Sequence, residues 1–381
     1  MAGWKPRLPT SLAVEVHGMN CRFCRHTTGE VILDAGRQPA SDSFPLVSDP
    51  GPDVLHPLSL WLCGNCRLAQ LVEDSTTAEE PRGQEPEALA RQAEEAVGAL
   101  STAGFLTGAR LMREFGSPHG GRWEDLLRGH GLQVAAAGEP ADVVIDNIGM
   151  MHEPDQAAAL RRRVESLAPD GTLFFQYHSF ATILHRGQWN ALRHGHFAYY
   201  STSALIGMLR SVGLVPVTAR QYPLYGGTVL LGATRAGAPD RSVEEIVQDE
   251  IRVGALDPQR ARSLQLAYVT SSEALSTFLR RERDMGRQVV GYSAASRAVA
   301  LLCRAGIGPD LLTMVGDASP AKEGRRMPGS GIAIVAPSTL IESRPDTVVL
   351  FVPDLLDEVR RSMPQIEAAG GRWVVAEDLA A

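Results

Sequence analysis

Two cysteine pairs constrain this chain more than any other feature: Cys21-Arg22-Phe23-Cys24 and Cys63-Gly64-Asn65-Cys66. Zinc favours four soft ligands in a tetrahedron, and each C-x-x-C turn brings two thiolates to one ion while a longer loop supplies the other pair. The expectation is a structural Zn2+ held by Cys21, Cys24, Cys63 and Cys66, with His17 or His26 as substitute ligands beside the first pair. Four thiolates leave no open coordination position, so this ion stabilises a module and takes no part in chemistry. Paired cysteines without a disulfide framework also fit a reducing, cytoplasmic compartment.

The chain has 381 residues, more than one ordinary core at roughly 100 to 200 residues per domain. A formal charge of −7, from 37 basic and 44 acidic residues, gives no footprint for nucleic acid. The only lysines are Lys5 and Lys322, and no run approaches the ~18 apolar residues of a membrane span. The short apolar run Leu12-Ala13-Val14 is too weak for a secretory signal.

Four regions follow from the order of patterns. Residues 1–74 form the zinc-binding module, and a polar linker over 73–86 leads into a helix from Pro86 to about Leu100. Residues 75–237 form an α/β domain. It opens with a run into the glycine-rich turn Gly116-Ser117-Pro118-His119-Gly120-Gly121, then a helix over Trp123–Arg128. Such a turn lets backbone approach a cofactor closely. Strands are expected over Leu132–Ala137, Ala141–Asn147 and near Leu173–Phe175, with a helix over Asp155–Leu167 between the last two. Residues 238–285 are a helical connector, and 286–381 form a second doubly wound α/β unit. In this last region strands are expected over Gln288–Tyr292, Leu312–Val315, Val348–Val352 and Arg372–Val375.

The densest chemistry lies in Arg193-His194-Gly195-His196-Phe197-Ala198-Tyr199-Tyr200-Ser201. Two histidines at i and i+2 followed by tyrosines place several proton-exchanging groups in one short segment.

Taken together, this order of motifs resembles the sugar C-methyltransferases, which use S-adenosylmethionine to methylate a carbon beside the keto group of nucleotide-linked deoxysugars. The two cysteine pairs, with Gly36-Arg37-Gln38-Pro39 between them, resemble that family's zinc module. Glu114-Phe115-Gly116-Ser117 resembles its cofactor loop, and Asp146-Asn147 with His152 resembles its second cofactor strand and a nearby functional histidine. The histidine segment resembles its active site. Gly291-Tyr292-Ser293-Ala294-Ala295 and Asp317-x-x-Pro320-Ala321-Lys322 resemble the part that holds the sugar nucleotide.

The resemblance implies a class I methyltransferase-like, Rossmann-like central domain and a second Rossmann-like domain behind it. It implies cofactor contacts from Gly116, Ser117, Gly120, Glu139 and Asn147, and catalytic roles for His196, His194, His152 and Tyr199, with His196 as base. Substrate contacts fall to Arg193, Tyr225, Tyr292, Ser296, Arg297 and Lys322, and the implied substrate is a thymidine-linked keto-deoxysugar or another biosynthetic intermediate.

This chain departs from the family pattern in two ways. Arg193 and Gly195 stand where the family has tyrosine and glutamate, and Ser296-Arg297 stand where it has Ala-Lys. Only about thirty residues separate Gly116 from Asn147, roughly half the family's span. The missing part would hold the strand–helix units of the adenine and ribose pocket, leaving Glu139 as the one nearby acidic candidate. A methyltransferase with a trimmed pocket therefore competes with an acid–base enzyme (epimerase, cyclase or lyase) on the same scaffold, and with a non-catalytic binding protein.

Overall fold

The computed structural model describes residues 19–76, 86–118 and 120–380. His17, the apolar run at 12–14, and linker positions 77–85 lie outside the described residues.

Strands β1 (Gly29–Pro39), β2 (Leu55–Cys63) and β3 (Ala69–Leu71) form an antiparallel meander. Each cysteine turn is closed by a left-handed arginine four residues after its first cysteine, Arg25 (φ 63°) and Arg67 (φ 61°). Their amides reach back to the carbonyls of Cys21 and Cys63 at 3.0 and 3.2 Å. The two knuckles are thus built alike.

The second region contains β4 (Leu111–Gly116), β5 (Gln133–Val134), β6 (Ala141–Asn147), β7 (Leu167–His178), β8 (Ala198–Tyr199), β9 (Val215–Tyr222) and β10 (Thr228–Thr234). Six of them make one sheet in the order β5-β4-β6-β7-β10-β9, parallel from β5 to β7 and antiparallel at β10 and β9. The run Ala141-Asp142-Val143-Val144-Ile145-Asp146-Asn147 is buried almost throughout, as a parallel strand covered on both faces must be. The helix Gln156–Glu165 starts where Asp155 accepts from the Ala158 amide at 3.0 Å, and the helix Thr202–Ser211 starts where Ser201 does the same for Ala204 at 3.1 Å.

The strand expected over Leu132–Ala137 shrinks to the two residues of β5. Arg113 explains why, because its guanidinium donates to the carbonyls of Ala136 (2.6 Å) and Glu139 (3.0 Å), and the Glu139 carboxylate accepts from the Ala136 amide (2.8 Å). The chain is stapled into a turn and goes straight on to β6, and among the described residues no further strand lies outside β5 in this sheet.

The remaining strand, β8, leaves this domain altogether. It pairs with β3 and completes the sheet of the zinc module, with Ala69 opposite Tyr199 and Gln70 opposite Ala198.

The expected helical connector is three helices, Arg241–Val253, Pro258–Ala261 and Ser263–Asp284. Beyond it β11 (Val289–Tyr292), β12 (Val315–Gly316), β13 (Ile334–Val335), β14 (Thr347–Leu350) and β15 (Arg372–Val375) form an all-parallel sheet in the order β13-β12-β11-β14-β15. Here the strand expected over Leu312–Val315 begins only at Val315. No helix among the described residues is long and apolar enough to cross a membrane.

Candidate active site

The Sγ atoms of Cys21, Cys24, Cys63 and Cys66 lie within 4.8 Å of one another, with Cys21–Cys66 at 3.5 Å and Cys24–Cys63 at 3.7 Å. A zinc tetrahedron with Zn–S near 2.3 Å has edges of about 3.8 Å, so the residues fit the ion. His26 is exposed and stands outside this cluster. Without a cation the thiols of Cys21, Cys63 and Cys66 conflict. Hydrogen bonds from Cys63 and Cys66 pull Cys21 far down, and Cys21 in turn pushes Cys63 up to about 11 and Cys66 above its usual range. A divalent ion resolves that conflict. Gln70 steadies the first knuckle, donating to Cys21 Sγ (3.3 Å) while accepting from the Arg22 amide (2.8 Å).

A cavity of about 750 Å³ opens where the carboxyl ends of β4, β6 and β7 face the carboxyl ends of β11 and β12. Ligands of open α/β sheets bind at such ends. The three strands of the central sheet deliver Ser117, Asn147 with His152, and His178 to one wall. The opposite wall carries Tyr292, Ser296, Arg297 and Lys322, and the rim between them holds Arg193, His194, His196 and Tyr225.

The histidine segment is held by fixed partners. His152 bonds the Gly195 carbonyl through Nδ1 at 2.9 Å, which turns Nε2 toward Ser117 Oγ at 3.5 Å. Its ring stands edge-on to His196 with centroids 4.6 Å apart. His196 accepts from Arg193 Nε at Nε2 (2.8 Å), and a second arm of Arg193 donates to Ser296 Oγ across the cavity. Arg193 Nε also lies 3.4 Å from His196 Nδ1, so the guanidinium sits against the ring beside both nitrogens. His194 lies against the zinc module, with Nε2 on the Pro57 carbonyl at 3.1 Å. Burial lowers its pKa.

Tyr199 stands behind the cavity wall. Its hydroxyl donates to the Ala191 carbonyl (3.0 Å) and accepts from the Arg193 amide (3.1 Å), and burial pushes its pKa up. That geometry anchors Arg193. Asn147 is also engaged, holding Gly121 with its amide while its oxygen accepts from Gln176 (3.1 Å). Lys322 is buried beside Asp317 (3.6 Å), donates to the Ala294 carbonyl (2.7 Å) and has its pKa lowered by burial. Tyr225 adopts φ 53°, strained for a non-glycine residue, and its amide is fixed by Asp354 at 2.9 Å.

His178 is the site residue that sequence reading missed. It ends β7, three residues past the apolar pair Phe174-Phe175 that marked the strand. The Phe-Gln-Tyr-His alternation at a strand end was the available signal.

Burial, with Arg297 and Arg193 nearby, pulls the His178 pKa down to about 3, so the folded ring stays neutral. The unfolded ring protonates near 6.5, so its contribution to stability is full above that pH and falls as the pH drops toward 3. His178 alone should cost about 2 kcal/mol between pH 7.5 and pH 5. Urea melts across that range should show the loss, and His178→Phe should flatten the slope.

Comparison with known proteins follows the same outline. Residues 223–376 match the family model described as "C-methyltransferase C-terminal domain", and residues 21–80 match one described as "Putative zinc binding domain". The C-methyltransferase NovU of Streptomyces niveus is 24% identical over 400 residues, across 93% of this chain and 94% of its own. The chain thus carries a C-methyltransferase C-terminal domain behind a zinc-binding domain. Magnesium protoporphyrin IX methyltransferase (ChlM) from Synechocystis PCC 6803 with bound SAH has a TM-score of 0.32 at 14% identity, covering 41% of this chain and 90% of that one. The same enzyme with bound SAM scores 0.30 at 15% identity, covering 41% and 87%.

The methyl donor of such a C-methyltransferase is S-adenosylmethionine, and its fit differs at its two ends. Gly120 (φ 98°) and Gly121 (φ 80°) turn the loop so that Ser117, Gly120 and Asn147 border the cavity beside His152. A Cβ on Gly121 would meet Leu89 at 3.0 Å, so the loop packs closely enough to need glycine there. This part suits the amino-acid end and its sulfonium. Glu139 does not suit the ribose, because it is exposed, lies outside the cavity and caps its own turn. Gly116 is exposed and does not line the cavity.

Proposed function

We propose that the chain transfers a methyl group from S-adenosylmethionine to the carbon beside the carbonyl of a nucleotide-linked keto-deoxysugar, with His196 as the base. The reading is carried by the Arg193–His196 contact at the rim of the cavity between the two α/β domains. Removing an α proton needs an acceptor at the right place, and Arg193 holds the His196 ring at the cavity. Arg193 also spans to Ser296 on the second domain, so a diphosphate arriving between them competes for the guanidinium. Drawn off His196, Arg193 uncovers the ring.

Arg297 and Lys322 add positive charge on the wall where the diphosphate would lie. His152, fixed by the Gly195 carbonyl, stands between His196 and Ser117 and so links the base to the loop that would hold the donor. Bound there, S-adenosylmethionine supplies an electrophilic methyl.

One observation favours a second reading. The central sheet ends at β5 and Glu139 is turned away from the cavity, so the adenosine end has fewer partners than the amino-acid end. The same base acting without a donor would epimerise, eliminate or close a ring.

Both readings are tested by incubating zinc-loaded protein with a thymidine-diphosphate-linked 4-keto-6-deoxysugar in D2O, with and without S-adenosylmethionine. Methylated product supports the first reading, and α-deuteration without any methyl transfer supports the second. His196→Ala should reduce whichever reaction occurs by about 10²- to 10⁴-fold. Neither product from wild-type protein would overturn both.

A further inference from the structure

His178 has no role in the chemistry above, yet three features set it apart. It closes β7, between the parallel and antiparallel halves of the central sheet, and its ring lines the cavity. Its Nε2 is closed off from water and has no hydrogen-bond partner among the described residues, an arrangement native proteins keep rare. Its ring meets the edge of Tyr225, centroids 5.1 Å apart, and Tyr225 is the residue held at φ 53°. Strained backbone of this kind gathers at functional sites.

The two charged groups that act on the ring are both cations, and Arg297 is paired in turn with Glu377 at 3.4 Å. Arg193 and Arg297 both act on the imidazole, and both line the same cavity. Burial and these two cations keep the ring uncharged at neutral pH. A neutral imidazole flanked by two guanidinium groups makes a poor base and a good hydrogen-bond donor to an oxygen that gains negative charge.

We propose that His178 closes the recess that receives the substrate's carbonyl oxygen and, by donating its N–H, stabilises that oxygen as an enolate. The inference rests on the enolising chemistry assigned to His196. When His196 takes the α proton, the electron pair of the broken C–H bond becomes the new C=C bond. The carbonyl π pair moves onto oxygen, where His178 N–H meets it. Methylation or reprotonation at carbon then returns the pair and restores the carbonyl, so the recess serves either reading.

The test uses the full zinc-loaded chain and 4-nitrophenolate, a compact aromatic oxyanion whose absorbance reports its ionisation. Wild-type protein should bind it saturably as the phenolate. His178→Phe should weaken binding about tenfold or more, and His178→Gln, which keeps an N–H donor, should recover most of it. Equal affinity in His178→Phe, or no saturable binding to wild-type protein, overturns the proposal. The keto-sugar assay separates the two failures. If the sugar neither exchanges nor is methylated while phenolate binding still depends on His178, the substrate reading falls and the recess stands. If exchange proceeds in His178→Phe at the wild-type rate, the recess falls and the base reading stands.

Discussion

Removing the zinc is expected to dismantle the histidine segment together with the N-terminal module. Structural zinc in small domains contributes about 10–16 kcal/mol at neutral pH, and that energy is folding energy. Here the module is not self-contained, because its sheet takes β8 from the active-site segment. The Leu71 amide donates to the Phe197 carbonyl at 3.2 Å, the Asp74 carboxylate accepts from the Gly195 amide at 2.5 Å, and His194 leans on the Pro57 carbonyl. Arg22, inside the first knuckle, lies over the Phe197 ring at 4.8 Å and donates to the carbonyls of Leu71 and Pro154. Cys63→Ser, or a strong chelator, should therefore lower the melting temperature sharply. It should also expose the amides of residues 194–199 to hydrogen exchange and abolish turnover. A metal-free protein that melts like wild type, or keeps protection in that segment, would show that the site stands without the module.

How much of this was legible in the sequence depends on the range of the interaction. The zinc ligands were legible because a C-x-x-C turn is local and the ion's preferences are strict. The strand Ala141–Asn147 was legible because a buried parallel strand is a short, nearly continuous apolar run. The shortened span between Gly116 and Asn147 was visible as a length, and the structure turns it into a sheet that stops at β5. By contrast, the pairing of β8 with β3 joins residues far apart in the chain through two residue pairs, and no local pattern encodes it. Tyr199 looked like chemistry because of its neighbours, but its hydroxyl is spent on Ala191 and Arg193, which only the fold reveals. His178 escaped for the opposite reason, since a lone histidine after an apolar run carries no motif.

Arg163 shows how the fold sets the position of His152 from a distance, and replacing it should have the second large effect. Its side chain is 1% exposed, with Nε on Asp146 at 2.6 Å, Nη1 on Glu153 at 2.5 Å and on the Ala159 carbonyl at 3.0 Å, and the guanidinium over the Phe115 ring at 4.3 Å. The other oxygen of Asp146 accepts from the amides of Gly149 and Met150, each at 3.1 Å, and so shapes the turn Met150–His152 that presents His152. Burial pushes the Asp146 pKa up against the pull of Arg163. Taking the cation away strands a buried carboxylate, which costs about 3–5 kcal/mol when one partner of a buried pair is lost. Arg163→Met should lose that much stability and misplace His152, lowering turnover beyond what the stability loss explains. Adding Asp146→Asn removes the stranded charge and should recover part of the stability, though not the turn. The exposed pair Arg25–Asp155, at 2.6 Å, gives the control, because Arg25→Ala should cost under about 1 kcal/mol. Denaturant melts of the four proteins decide the matter, and an Arg163→Met loss no larger than that of Arg25→Ala would mean the buried pair does not hold the turn.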